Sequence, residues 1–177
     1  VKSCIMLAGL YAQTETTIIE NHQTRNHTEK MFEKIGIEIK EKYENKQKII
    51  KVSPPKKLNP TNIDIPGDVS SASFLIVAGL IIPNSEIIIK NVGINSSRTA
   101  LLKVLIEMGA DIQINNVKDD FEKTADILVK TSQLKALVLD EDLVPNLIDE
   151  LPILFIAASF ANGKTRIRGA EELRAKE

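Results

Sequence analysis

Four short segments carry residue types able to do chemistry, and each stands at the start of a run that reads as a helix. Asp149 and Glu150 directly precede the apolar run Leu151-Pro152-Ile153-Leu154. Pro152 is tolerated in a first helical turn, so Asp149 fits a cap or first-turn residue stabilised by the helix dipole. A carboxylate there can also point into a cleft and accept a proton from a hydroxyl. Asp68-Val69-Ser70-Ser71-Ala72-Ser73 opens a second apolar run. Two hydroxyls and the unpaired backbone N–H groups of a helix start make an anion site, and equally an ordinary N-cap. Thr24-Arg25-Asn26-His27-Thr28-Glu29 opens a third helix. A Thr or Asn cap followed by Glu29 resembles a capping box, and Arg25 can hold a phosphate or carboxylate through two parallel bonds. His27 reads as a capping or packing residue, because no second ligand lies at helical spacing. Finally, residues 169–177 end in Lys176-Glu177. That segment is either a solvated helix face laced with ion pairs or a site where a cation and an acid act on a proton beside a phosphate. Several helix starts pointed into one cleft would add their partial positive charges and attract an anionic substrate.

The rest of the composition narrows the field. Across 177 residues, 23 Lys and Arg face 24 Asp and Glu, a formal net charge of −1. Such a balance argues against a general nucleic-acid binder or a basic membrane-surface protein. A single cysteine, Cys4, excludes an internal disulfide, and it reads as a small hydrophobe packed in the first helix. His22 and His27 are too few for a multi-histidine metal site, so no metal is expected. No phosphate-binding P-loop, G-x-G-x-x-G or G-x-S-x-G segment is present. The apolar runs near residues 5–12 and 151–161 are shorter than the ~20 residues a bilayer requires. Residues 1–12 superficially resemble a secretory leader, but the same pattern recurs later in the chain, and a cytoplasmic location is expected.

These segments hang on a repeat. Residues 4–12, 16–20, 27–35 and 36–40 read as helix, strand, helix, strand. The order recurs at 74–82, 86–90, 99–108 and 109–114, and begins again at 153–161, 164–168 and 171–177. The small pairs Ala8-Gly9, Ala78-Gly79 and Ala157-Ala158 line up between copies. The first helix of each copy is almost wholly apolar, so burial on both faces is expected, with small residues admitting close approach of a neighbour. The second helices are amphipathic, with Leu101, Leu102, Leu105 and Met108 at helical spacing, and Gly36 and Gly109 stand where a left-handed C-terminal residue belongs. Further strands fit 48–52 and 126–130, with a loop or hairpin turn at 118–123. The Pro-rich stretch 53–60 leads to a boundary near Pro66-Gly67-Asp68. The result is a β-α-β-α-β-β unit of roughly 70 residues, repeated two and a half times. The third copy stops in mid-helix, which reads as truncation.

Four of these segments resemble those of the 5-enolpyruvylshikimate-3-phosphate synthase family. Thr24 to Met31 is similar to T/S-R-D/N-H-T-E-x-M, and Pro66 to Phe74 to P-G-D-x-S-S-A-x-F. Ile148 to Leu154 is similar to I-D-E-x-P-x-L, and Gly169 to Glu177 to G-A-x-E-L-R-x-K-E. All four occur in the family's order. The sibling transferase acting on UDP-N-acetylglucosamine shares the fold and lacks the R-x-H-T-E and E-L-R-x-K-E signatures, and it is the alternative within this fold.

The resemblance implies an α/β fold, the two-lobed inverse α/β barrel of enolpyruvyl transferases, incomplete here. Residues 1–65 would be the C-terminal part of the first lobe and 66–177 the major part of the second. It implies transfer of an enolpyruvyl group from phosphoenolpyruvate to the 5-hydroxyl of shikimate 3-phosphate, with no metal or organic cofactor, in a monomeric full-length enzyme. Asp149 would bind the shikimate hydroxyls and accept a proton. Lys176 would lie beside the substrates and Glu177 would transfer a proton at the methylene carbon. Thr24 and Arg25 would lie near the shikimate phosphate. The family's upstream S-A-Q, its N-terminal Lys-Ser and Arg, its Gly- and Arg-containing segment for phosphoenolpyruvate and its downstream S-D-R are absent, and Ala175 replaces the usual Val. The isolated chain is therefore expected to be inactive. A non-catalytic α/β repeat module used for binding or assembly is the reading from another class.

Overall fold

The computed structural model describes residues 1–21 and 24–174. The chain divides into two compact units, Val1–Asp64 and Ile65–Glu177. In the first, α1 (Lys2–Gly9) and β1 (Thr16–Glu20) precede α2 (His27–Lys34), β2 (Ile39–Glu44) and β3 (Gln47–Val52). The strands form an antiparallel sheet in the order β1-β3-β2, with Thr16 and Ile39 both opposite Val52. Asn45 and Lys46 take positive φ in the two-residue β2–β3 turn, the twist such hairpins favour. Alternation along β3 turns Ile50 and Val52 inward, onto Met6, Ile18, Phe32 and Ile37.

The second unit repeats the pattern. It runs α3 (Val69–Ile81), β4 (Glu86–Gly93), α4 (Ala100–Glu107), β5 (Asp111–Asp119) and β6 (Lys123–Lys130). Its antiparallel sheet has the order β4-β6-β5, the same arrangement with the last strand central. A third, partial copy follows: β7 (Val138–Leu139), a 3-10 segment Glu141–Asn146, α5 (Leu151–Ser159), β8 (Arg166–Ile167) and a 3-10 segment Glu171–Arg174. β7 and β8 pair in parallel. One core joins the elements, with Ile76 and Leu80 from α3, Leu102 and Leu105 from α4, Ile127 and Val129 from β6, and Leu154 and Ala157 from α5.

The expected helices through α5 are present, with Gly36 at φ 86° and Gly109 at φ 94° just past α2 and α4, whereas the helix expected over 171–177 is a 3-10 segment at Glu171–Arg174 and its last three residues lie outside the described ones. Gly79 is the close-approach position the small pair signalled, since a Cβ there would lie 2.9 Å from Ile87 Cδ1. Four further expectations are corrected. The apolar first helices are buried on one face only: Phe74 and Leu75 of α3 are 62% and 56% exposed, and Phe155 and Ile156 of α5 are 41% and 48% exposed. Cys4 is exposed on α1 rather than packed. The capping box at α2 does not form: Asn26 makes no side-chain cap bond, and Glu29 is buried against Lys2 and Lys48 instead. The strand expected over 164–168 pairs only at Arg166–Ile167. No helix among the described residues is long and apolar enough to cross a membrane.

Candidate functional site

In the second unit, the segment leading into α3 builds a cluster of charge at that helix start. Gly67 N–H donates to Asn91 O at 2.8 Å, and Gly93 N–H donates to Gly67 O at 2.8 Å. This bridge lays residues 66–68 along β4, and a Cβ on Gly67 would come within 3.3 Å of Asn91 O. Asp68 then caps α3, its Oδ2 accepting from Ser71 N–H at 2.8 Å and from Ser71 Oγ at 3.0 Å. Burial pushes the Asp68 carboxyl up, but the bonds from Ser71 and Ser70 and the charge of Arg98 outweigh it. The net result lies below the ordinary carboxylate value.

Beyond β4, buried Asn95 organises the turn that carries Arg98. Its Oδ1 accepts from Ser97 N–H at 3.0 Å and Ser97 Oγ at 2.8 Å. Its Nδ2 donates to the buried Glu122 at 3.1 Å, and Arg98 N–H donates to Asn95 O at 2.8 Å. Arg98 Nη2 donates to Ser70 Oγ, and it lies 3.3 Å from Asp68 Oδ1 and 3.8 Å from Glu150 Oε1. Nη1 lies 3.8 Å from Asp149 Oδ2. Ser70 Oγ in turn donates to Glu150 Oε1. α5 packs against α3, which brings the Glu150 N-cap position beside Ser70. The Glu150 side chain is 6% exposed and that of Arg98 13%, whereas those of Asp149 and Asp68 are 36% and 54% exposed. The cluster is therefore layered, with a buried carboxylate inside, a hydroxyl and a guanidinium above it, and two carboxylates facing water.

Of the site residues expected from sequence, Asp149 lies in this cluster, but it is neither the cap nor a first-turn residue of α5, because the helix starts at Leu151 and Glu150 takes the N-cap position without a side-chain cap bond. Thr24 and Arg25 lie in the first unit, both exposed, and the Thr24 hydroxyl donates to Glu20. Lys176 and Glu177 lie outside the described residues. Sequence reasoning missed Arg98. The signal was the repeat: Ser97-Arg98-Thr99 precedes α4 as Thr24-Arg25-Asn26 precedes α2.

The first unit holds a second polar network under α2. Lys2 Nζ lies 3.2 Å from Glu20 Oε2 and 2.7 Å from Glu29 Oε1. Lys48 Nζ lies 3.5 Å from Glu29 Oε1 and 2.7 Å from Glu41 Oε1. Burial pulls the Lys48 ammonium down, yet Glu41 and Glu29 together raise it above its ordinary value. Among the described residues, no cluster of His, Cys, Asp or Glu is arranged to hold a metal ion.

Comparison with known proteins gives this geometry a family. The family model for EPSP synthase (3-phosphoshikimate 1-carboxyvinyltransferase) matches residues 1–177. The chain is 48% identical to a 3-phosphoshikimate 1-carboxyvinyltransferase of Geobacillus kaustophilus, covering all of this chain and 41% of that protein. The one from Streptococcus thermophilus is 45% identical, again over all of this chain and 40% of that protein. The chain thus spans about two-fifths of the length of the curated relatives it matches. The solved structure of EPSP synthase from Acinetobacter baumannii superposes with a TM-score of 0.88 at 43% identity, over 98% of this chain and 38% of that one. The enolpyruvyl transferase NikO from Streptomyces tendae, at 16% identity and a TM-score of 0.67 over 92% of this chain and 37% of that one, shares the fold. Matched along its whole length by the family model and by relatives approaching half identity, the chain belongs to the EPSP synthase (3-phosphoshikimate 1-carboxyvinyltransferase) family.

Proposed function

We propose that this chain carries part of the shikimate-phosphate half-site of an enzyme that transfers enolpyruvyl from phosphoenolpyruvate to the 5-hydroxyl of shikimate 3-phosphate. The observation that carries the reading is Arg98 bonded to Ser70 at the start of α3, with Asp149 on the solvent side of the same guanidinium. Arg98 and the positive end of the α3 dipole attract an anionic group of the substrate, while Ser70 and Ser71 give their hydroxyl protons to Glu150 and Asp68. A charge-assisted bond from a guanidinium and a helix dipole are groups an anion selects. Asp149, part-exposed, is placed to take the proton of the attacking hydroxyl.

In this reading addition forms the bond between the 5-oxygen and C2 of phosphoenolpyruvate while C3 gains a proton. Elimination removes a proton from C3 and expels phosphate. Asp149 acts at the hydroxyl, Glu177 at C3, and Lys176 stabilises the charge that develops. The motif match assigns Thr24 and Arg25, in the first unit, to the shikimate phosphate. The units Val1–Asp64 and Ile65–Glu177 correspond to the end of the first lobe and most of the second. The full-length enzyme acts without metal or organic cofactor, as a cytoplasmic monomer.

Titrating the 177-residue chain with shikimate 3-phosphate while recording amide shifts tests the reading. Saturable shifts at residues 68–72 and 95–99, weakened at least ~10-fold by Arg98→Ala, are expected. A second reading draws on the exposed Phe74, Leu75, Phe155 and Ile156, which suit a module that assembles through its apolar helices. Self-association with no response to ligand favours that module and ends the half-site reading.

A further inference from the structure

We infer that Lys2 is a positioning residue for the Thr24-Arg25 segment, holding from beneath the connection between β1 and α2 that carries it. The inference rests on the half-site reading above, which assigns that segment to the shikimate phosphate, and it adds a buried residue that touches neither substrate. Alternation along β1 turns Ile18 and Glu20 to the core side, so the strand ends on a carboxylate whose side chain is 6% exposed. A carboxylate so placed needs partners. Its Oε2 accepts from Lys2 Nζ at 3.2 Å, and its Oε1 accepts from the Thr24 hydroxyl. The same ammonium donates at 2.7 Å to Oε1 of Glu29, in the first turn of α2. Lys2 thus joins the last residue of β1 to the start of α2 and closes the connection between them with one side chain. Beside it, the hydroxyls of Ser3 and Thr28 lie 2.7 Å apart, a second tie between the starts of α1 and α2.

Thr24 has one hydroxyl proton, and Glu20 accepts it. Thr24 is therefore a tether, and Arg25, exposed beside it, is the group that meets the phosphate. The tether depends on the charge of Lys2. With the ammonium removed, Glu20 and Glu29 are left as neighbouring like charges. Glu29 keeps Lys48 at 3.5 Å, whereas Glu20 loses the cation that neutralises it. Glu20 then turns toward water and takes the hold on Thr24 with it. The segment must afterwards be ordered at the moment of binding, and that cost is subtracted from affinity.

Two measurements on the 177-residue chain test this, using Lys2→Met to keep an apolar stem and remove the donors. Without ligand, backbone order parameters at Thr24, Arg25 and Asn26 are expected to fall from about 0.85 to below about 0.6, while those of Ile50 and Val52 hold. A merely structural role lowers global stability and leaves the folded chain's order parameters as they were, so unchanged values at 24–26 overturn the inference. With shikimate 3-phosphate, Lys2→Met is expected to weaken binding, read by amide shifts at 24–26, about 10-fold. In an Arg25→Ala background the same change is expected to cost less than ~2-fold, since the effect runs through Arg25. Equal fold-loss in both backgrounds overturns the inference, as does wild-type affinity in Lys2→Met. Glu20→Gln is close to isosteric and keeps one acceptor for Thr24. It is expected to weaken binding about 3-fold, and it carries the test if Lys2→Met fails to fold, with wild-type affinity and order again the overturning result. Failure of the underlying reading looks different. If the wild-type chain gives no saturable shifts at 24–26, or Arg25→Ala binds normally, the half-site there is lost and the inference falls with it. Normal wild-type binding with a segment that Lys2→Met leaves ordered is failure of the inference alone.

Discussion

Asp68 joins local structure to the site at the scale of a single side chain. Its Oδ2 satisfies two donors at the start of α3, and its Oδ1 lies 3.3 Å from Arg98. Removing the cap through Asp68→Ala is expected to destabilise the chain by about 1 kcal/mol, within the 0.5–2 kcal/mol range of such caps, while Asp68→Asn keeps an acceptor and loses less. Urea denaturation midpoints measure both. Because the folded carboxyl sits below its ordinary value, its charge contributes stability above the unfolded pKa of about 3.9. That contribution is lost as pH falls through the lower folded value. The stability difference between wild type and Asp68→Asn should therefore shrink as the pH is taken from about 5 toward 3, and a difference that widens contradicts the sign argued here. At this scale the sequence was partly legible. Asp68 was readable as a helix start, because capping chemistry is local. Asp149 was found through its motif. Arg98 was not singled out, because only the bridge from Gly67 to β4 brings it to Asp68, and that pairing spans residues far apart in the chain.

Among the elements, α1, α2 and β3 are tied together by buried charge as well as by apolar packing. Glu29 on α2 meets Lys2 of α1 and Lys48 of β3, and its Oε2 is buried with no hydrogen-bond partner among the described residues. Replacing it by Ala strips both lysines of a shared counter-charge, although Glu20 and Glu41 remain to each. Breaking a buried pair from one side costs about 3–5 kcal/mol, and the lower end is expected here because of those remaining partners. Thermal unfolding of Glu29→Ala checks this; a loss under ~0.5 kcal/mol would show that the network is incidental. The raised Lys48 fits the same picture. Its contribution is present below the unfolded pKa of about 10.4 and fades as pH rises through the higher folded value. The repeat of helix and strand was legible because apolar periodicity and terminal glycines at 36 and 109 are local signals. The capping box was misread for the opposite reason. Glu29 is claimed by lysines 27 and 19 residues away, and local spacing carries no trace of them. β7 and β8, at two residues each, are too short for any periodic pattern to mark. The apolar runs of α3 and α5 were read correctly as helices, but hydrophobicity alone did not say which face the rest of the chain covers.

Across the whole molecule, the near-zero net charge and the proposed phosphate chemistry are compatible because charge is placed locally. A formal −1 spread over 177 residues excludes only a global basic field. At the helix start of α3, however, one guanidinium faces three carboxylates, those of Asp68, Asp149 and Glu150. Shikimate 3-phosphate brings a phosphate and a carboxylate, and phosphoenolpyruvate brings the same two groups. One fixed cation and a helix dipole are enough to hold an anionic group weakly. They are too few to hold both substrates within bonding distance against mutual repulsion, because each close pair of like charges must be offset by placed donors. The chain spans about two-fifths of the length of the curated relatives it matches, and those relatives have ample further sequence from which such donors can come. The expected outcome for the 177-residue chain is therefore a split between binding and catalysis. Shikimate 3-phosphate should produce saturable shifts around Ser70 and Arg98, while phosphate release with both substrates stays at the background rate. Adding phosphoenolpyruvate to the chain already saturated with shikimate 3-phosphate should give no second set of saturable shifts. Turnover above background by the chain alone, or a second saturable site for phosphoenolpyruvate, would mean that the cations counted here suffice and that the charge argument is wrong.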